Sequence, residues 1–358
     1  MTAAQQTGEH HHHAAPRRRV PLSWFGVPLG ITGLAGGWAA AQADLQAPQW
    51  PAEVLYGIAT AIWVVLSVAY VVTGLRGERR AFRGDREHPV TGPFSAYIPL
   101  IAILLAGHYS MDFATANNTA GADASRWVTA AAVLALGIVA SQLVAHWLTG
   151  GVAISDIHLG YFVPVVAGAN VASIGLSQIG QHDPAMGAFA VGLFFWLVIG
   201  TAAIIRLTSN GPDGNRRPLP EPLKPALSAF LAASATSSLA WIISHPGPIG
   251  DVQSGLTGIL VLMLLVQFAL LPTYAKLRPG FSFWIFTFPV ASTTNYAVRF
   301  FSTTQLAGWR SWAWGVLAFG TAFLMFVALA SIPRRRQDPT ATSSAPATAP
   351  DGETATRS

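Results

Sequence analysis

Apolar stretches about 20 residues long recur between residues 22 and 331, and no other feature of the chain constrains its fold as tightly. As a helix, each is long enough to cross a hydrocarbon core roughly 30 Å thick. The backbone of a spanning segment finds no water there, so it must satisfy its own polar groups. Barrel strands would show short alternating segments rather than continuous apolar runs, so the spans are read as helices. Ten fit, near 22–41, 54–75, 94–110, 127–149, 158–180, 185–206, 225–244, 252–275, 282–303 and 308–331. Charged residues make up 10% of the chain, against about 25% in soluble domains, which excludes a water-soluble multidomain protein. The absence of cysteine removes disulfides and thiolate metal sites.

The loops give the orientation. Arg17, Arg18 and Arg19 precede the first span, and Arg76, Arg79, Arg80, Arg83 and Arg86 separate the second and third. Arg206, Arg216, Arg217 and Lys224 lie between the sixth and seventh, and Lys276 and Arg278 between the eighth and ninth. Arg334 to Arg336 follow the tenth, while the alternate loops carry Asp44, Asp112, Asp183 and Asp251. The loop at 150–157, with Asp156 and no basic residue, breaks the pattern. Basic loops stay cytoplasmic, so both termini are expected inside a bacterial-type inner membrane. The formal charge of +5 thus reports topology rather than nucleic-acid binding. Residues 1–20 read as a disordered tail, 21–332 as a transport domain and 333–358, rich in Pro, Thr, Ala and Ser, as a second disordered tail. No cleavable signal is read at the start. The run His10 to His13 reads as part of that tail, as a tag or as a metal-binding tract.

The spans fall into two alternating classes. The odd ones carry breakers and polar residues: Pro28 and Gly30 in the first, Pro99 in the third, Pro164 and Asn170 in the fifth, Thr236 in the seventh, and Pro289, Ser292 and Asn295 in the ninth. The even ones are smoother. An interior proline frees a carbonyl and bends the helix. Freed carbonyls and polar side chains are tolerated in a membrane only against protein or a watered cavity. The odd helices are therefore expected to form an inner ring that lines a pore, and the even ones an outer ring, in five hairpins. Aromatic residues precede the proline in four odd spans, as in Tyr97 before Pro99 and Phe162 before Pro164, a faint repeat of the kind that marks a transport path.

No Asp or Glu falls inside these spans. Ion-coupled carriers usually keep an intramembrane carboxylate in spite of a cost of about 2.5–3.5 kcal/mol. Cation channels use acidic rings or carbonyl filters. A neutral polar pore with basic mouths favours anions instead. A hydrolase needing paired carboxylates is also disfavoured. Paired histidines would ligate haem, but His108, His146, His158 and His245 lie near span ends, with no two at ligand spacing on one helix. No cofactor is expected. His158, at the start of the fifth span, either meets an entering anion or merely caps a helix.

At Trp24-Phe25-Gly26-Val27-Pro28-Leu29-Gly30, at His158 through Ser177, and at Phe286-Thr287-Phe288-Pro289-Val290-Ala291-Ser292, the chain resembles the tellurite-resistance/dicarboxylate transporter family. That family includes plant guard-cell slow anion channels and yeast malate and sulfite transporters. The resemblance implies an all-α fold of ten spans in a pseudo-fivefold ring around a pore, assembled as a homotrimer. It also implies that Phe288 plugs the pore and that Pro289 bends the gate helix. Arg299, eleven residues after Phe288, either draws anions to the outer vestibule or reaches back to the interface. The expected activity is an anion channel or uniporter. A coupled transporter or exporter for a C4-dicarboxylate, sulfite or a tellurite-related oxyanion is the alternative.

Overall fold

A computed structural model describes residues 20–75, 81–88, 91–152, 157–209 and 219–332. The two tails, the His run, Arg17 to Arg19, Arg76, Arg79, Arg80, Asp156, Arg216, Arg217 and Arg334 to Arg336 lie outside the described residues. Among the described residues the chain is helical, without strands. Its α-helices are α1 (Gly26–Leu45), α2 (Trp50–Leu75), the short α3 (Ala81–Glu87), α4 (Tyr97–Thr115), α5 (Thr119–Leu148), α6 (Gly168–Gln178), α7 (His182–Thr208), α8 (Ala229–Ser244), α9 (Asp251–Tyr274), α10 (Trp284–Thr304) and α11 (Trp309–Ala330).

Eight segments among the described residues are long and apolar enough to cross a membrane. Two further long helices, α1 and α10, fall short of that mark. The first is rich in glycine and the other in Thr, Ser and Asn. They pack against each other, so neither needs a lipid-facing surface.

Burial divides the segments as the alternating composition suggests. In the apolar stretch of α2, α5, α7, α9 and α11, only 17% to 28% of residues are buried. For the segments ending in α4, α6 and α8 the share is 61%, 89% and 72%. The exposed side chains on the first group are large and apolar, among them Val65, Leu134, Leu197, Leu265 and Phe319, a surface suited to acyl chains rather than water. α1 contacts α4, α4 contacts α6, α6 contacts α8, α8 contacts α10, and α10 returns to α1; each also packs on the long helix that follows it.

Every buried helix has a distinct entry. A 3₁₀ turn leads into α1 (Leu22–Phe25), α4 (Gly92–Ala96), α8 (Glu221–Ser228) and α10 (Phe281–Phe283). Before α6 there is a short 3₁₀ turn and then a π-helical turn, Val163–Ala167, around Pro164. The prolines of the first and third spans therefore act differently from the expectation. Pro28 and Pro99 are the third residues of α1 and α4, and a proline in a first turn deprives the helix of no internal bond. Among the sequence-flagged prolines of the odd spans, only Pro289 sits well inside its α-helix. At the opposite end, all five turns between a buried helix and its successor use a residue with positive φ: Gln46, Asn117, Gly180, Gly247 and Gln305. A left-handed residue there lets the chain reverse tightly.

The glycines of α1 are a packing face, not an interruption. A Cβ on Gly30 would overlap the Thr287 side chain, and one on Gly33 would come within 3.0 Å of the Ala291 Cβ. Gly37 meets the backbone of Asn295. Their spacing of three to four residues lays them along one side of the helix, where small residues let two backbones approach closely.

The helices also run past the expected span ends. Asp44 lies in the last turn of α1, Glu53 in the first turn of α2, and Asp112 near the end of α4. The carboxylates thus belong to helices, gathered at the end that holds the tight turns.

Candidate functional site

Phe288 stands between two cavities enclosed by the buried helices. The first, about 60 Å³, is bounded by Leu29, Tyr97, His158, Phe162, Ala232, Ile285, Phe288 and Pro289. The second, about 50 Å³, is bounded by Thr32, Gly36, Tyr56, His108, Gln178, Thr236, Ser292, Asn295 and Arg299, again with Phe288. They are called here the His158 cavity and the Arg299 cavity. The Phe288 ring is buried and faces Gly33, where a Cβ would lie 3.4 Å from its Cδ2. A larger residue at position 33 would occupy the space the ring fills.

The two cavities differ in chemistry. The His158 cavity is walled mainly by apolar side chains. His158 Nδ1 accepts the Gly160 backbone N–H at 3.0 Å, and Ser228 donates to the Pro225 carbonyl at 2.7 Å. In the Arg299 cavity, Arg299 Nε donates to Asn295 Oδ1 at 3.2 Å. The Tyr56 ring stacks on His108 at 3.6 Å between centroids, and His108 Nε2 lies 3.6 Å from Glu53 Oε1. Asp44 accepts a hydrogen bond from Ser302 at 2.7 Å.

The hydroxyls point their protons elsewhere. Thr32 donates to Pro28 O at 2.7 Å, Thr236 to Ala232 O at 2.8 Å and Ser292 to Phe288 O at 2.8 Å. Each satisfies its own helix, as such side chains do at i−4. What they present to the Arg299 cavity is oxygen lone pairs. Positive character there comes from guanidinium and amide groups instead.

Of the residues singled out in the sequence, Phe288, Pro289 and His158 meet at the first cavity, and Phe288, Thr236, Ser292, Asn295 and Arg299 at the second. Pro28, Gly30, Pro99, Pro164 and Asn170 line neither. Pro28 and Pro99 start helices, and Gly30 faces Thr287. Asn170 is buried and donates to Ser237 at 2.9 Å, holding α6 to α8, while its Oδ1 sits against Gly192 of α7. Tyr56 and Gln178 carry no site expectation from the sequence, and His108 carries only that of a haem ligand near a span end. Tyr56 lies on a helix whose composition is that of a lipid-facing span, and Gln178 ends its helix. Polar residues at the turn-bearing ends of otherwise apolar helices were the available signal.

The four histidines are dispersed. His108 stacks on Tyr56, His245 on Trp241 at 4.0 Å, His146 lies against Gly151, and His158 caps its turn. Among the described residues, no three of His, Asp and Glu gather in a group that would hold a metal ion.

Residues 19–332 match the family model described as voltage-dependent anion channel. The chain is also 24% identical, over 292 residues, to the tellurite resistance protein TehA homolog of Haemophilus influenzae. That alignment covers 81% of this chain and 84% of the relative. Both findings agree with the resemblance carried by the three sequence motifs.

Proposed function

We propose, from the premise that the chain belongs to the voltage-dependent anion channel family, that it passes small anions through a central path between α1, α4, α6, α8 and α10, as a channel or uniporter. The observation that carries this reading is the position of Phe288 between the two cavities. A bulky apolar ring in a narrow neck blocks ions by size and by dewetting. Pro289 supports the same reading. It offers no N–H to the Ile285 carbonyl, so the ring stands where its helix is easiest to bend.

On this reading α1 and α10 cross the membrane with the eight apolar segments, giving ten spans in five hairpins. The termini and the His158 cavity face the cytoplasm, and the Arg299 cavity faces outward. Three copies assemble side by side, each with its own path. The cell membrane is the place of action, and no cofactor takes part.

Liposomes holding the purified protein test channel against coupled carrier. A channel passes chloride under a potassium diffusion potential and shows no net flux when a pH gradient is imposed at zero voltage. Flux driven by the pH gradient alone contradicts the channel reading and favours a proton-linked carrier of sulfite, dicarboxylate or a tellurite-related oxyanion. For that second reading, the name of the Haemophilus relative is the supporting observation.

A further inference from the structure

An open groove of about 640 Å³ lies where the entry to α10 meets the end of α11. Pro279 and Gly280 form one side, and Phe326, Leu329, Ser331 and Ile332 the other. The two elements are tied together: Trp284 Nε1 donates to Ser331 Oγ at 2.9 Å, and Ser331 donates in turn to Val327 O at 2.8 Å. The hydroxyl proton is thereby spent, and Pro279 has no N–H to give. Phe326, Leu329 and Ile332 are exposed, so the groove offers an apolar wall. The exposed rings of Trp24 and Phe281 meet next to Gly280, 6.0 Å between centroids. Exposed aromatic rings at a helix end mark the headgroup level of a bilayer.

The rim of the groove is cationic. Lys276 and Arg278 are exposed, and Arg278 directly precedes Pro279. Among the described residues, neither side chain has a hydrogen-bond or ion-pair partner. Other arginines are engaged: Arg86 donates to Gln142, Arg126 to Asp123 and Arg299 to Asn295. Neither 275–283 nor 325–337 contains Asp or Glu. The entry to α8 touches that of α10, but its Glu221 pairs with neither cation. In the sequence, Arg334 to Arg336 follow Ile332 after a single proline, outside the described residues. Topology accounts for basic residues gathering at this end. It does not account for two that lack an acceptor beside an apolar groove at headgroup level. A phosphate is the acceptor a membrane supplies there, and buried apolar area adds to such binding.

We propose that this groove seats one anionic phospholipid, with an acyl chain along Phe326, Leu329 and Ile332 and its phosphate between Lys276 and Arg278. The lipid then covers the entry to the helix that carries Phe288. The site stands whether or not that ring gates a path; the permeation reading enters only in naming the leaflet, which is the cytoplasmic one.

Phosphatidylglycerol and phosphatidylcholine with the same acyl chains are titrated, as mixed micelles, into delipidated full-length protein. Bound lipid is counted by native mass spectrometry, and the melting temperature without lipid shows that each variant is folded. Saturable binding of phosphatidylglycerol is expected, with phosphatidylcholine at least fivefold weaker. Each basic side chain near a membrane surface is worth roughly fivefold in affinity, so the double variant Lys276→Gln with Arg278→Gln should weaken phosphatidylglycerol at least tenfold. Phe326→Ala with Leu329→Ala keeps every charge and should weaken it at least threefold, which attraction to a charged surface alone would not do. Arg126→Gln, at the opposite end of the bundle, should change nothing. Equal binding of the two lipids, unchanged affinity in either double variant, or glycerol 3-phosphate binding as tightly as the lipid overturns the site. So does a change in subunit number in the charge variant at unchanged lipid affinity, which would give the groove to a second copy of the chain.

Discussion

Side-chain chemistry at the two cavities turns on which atom each group presents. Ser292 and Thr236 are polar residues on buried helices, and a pore argument naturally enlists them as anion ligands. Their protons, however, are bonded to Phe288 O and Ala232 O. Ser292→Ala should therefore retain at least half of the anion flux measured in a Phe288→Ala background. A fall of tenfold or more would mean that the hydroxyl turns to meet the ion. Asn170 has the opposite character. It is fully buried and ties α6 to α8. Asn170→Ala should lower stability by about 0.6–2 kcal/mol, read as a drop in melting temperature in detergent, with little change in flux per folded protein. Phe288, Pro289 and Arg299 were legible in the sequence because a short motif and a helical spacing carry them. Gln178 and Tyr56 were not, because their importance depends on neighbours from helices distant in sequence, and no periodicity reports that.

At the scale of elements, close helix approach explains more than helix breaking does. The sequence suggested a pore helix interrupted by Pro28 and a run of glycines; α1 instead runs unbroken for 20 residues. Its glycine face admits Thr287, Ala291 and Asn295 of α10. The same device fixes α11, where a Cβ on Gly320 would come within 2.5 Å of Thr294 Oγ1. Gly320→Ala should destabilise the protein by about 1–3 kcal/mol through overpacking. Adding Thr294→Ala, which removes that oxygen, should recover most of the loss; thermal unfolding of the two variants in one detergent measures it. No recovery would mean that the helices are held apart by some other contact. The alternation of buried and lipid-suited helices was readable from composition, because polar residues in a membrane seek protein. The 3₁₀ and π entries were not: Pro93, Pro164 and Pro225 stand in those of α4, α6 and α8, but a proline marks where an element begins without fixing which helix type follows.

For the whole molecule, orientation and assembly rest on loop charge and family membership. The absence of cysteine makes labelling clean. A membrane-impermeant maleimide applied to intact cells should modify Gln181→Cys and Gln305→Cys variants, and should reach Lys224→Cys and Lys276→Cys variants only after permeabilisation. The reverse pattern would invert the topology and place the Arg299 cavity on the cytoplasmic side. Chemical cross-linking of the detergent-extracted protein should end at three subunits. Fold class and family are legible in the sequence because both follow from patterns that recur over the entire length. The identity of the anion is not, since on the proposed reading it depends on the width and lining of a path between helices distant in sequence.

Anion efflux from liposomes holding wild-type protein and the Phe288→Ala variant at equal, folded amounts tests the central claim most directly. With the ring as plug, wild type should be nearly closed and the variant should conduct at least tenfold more chloride. Equal rates in the two, with both proteins intact, would contradict it.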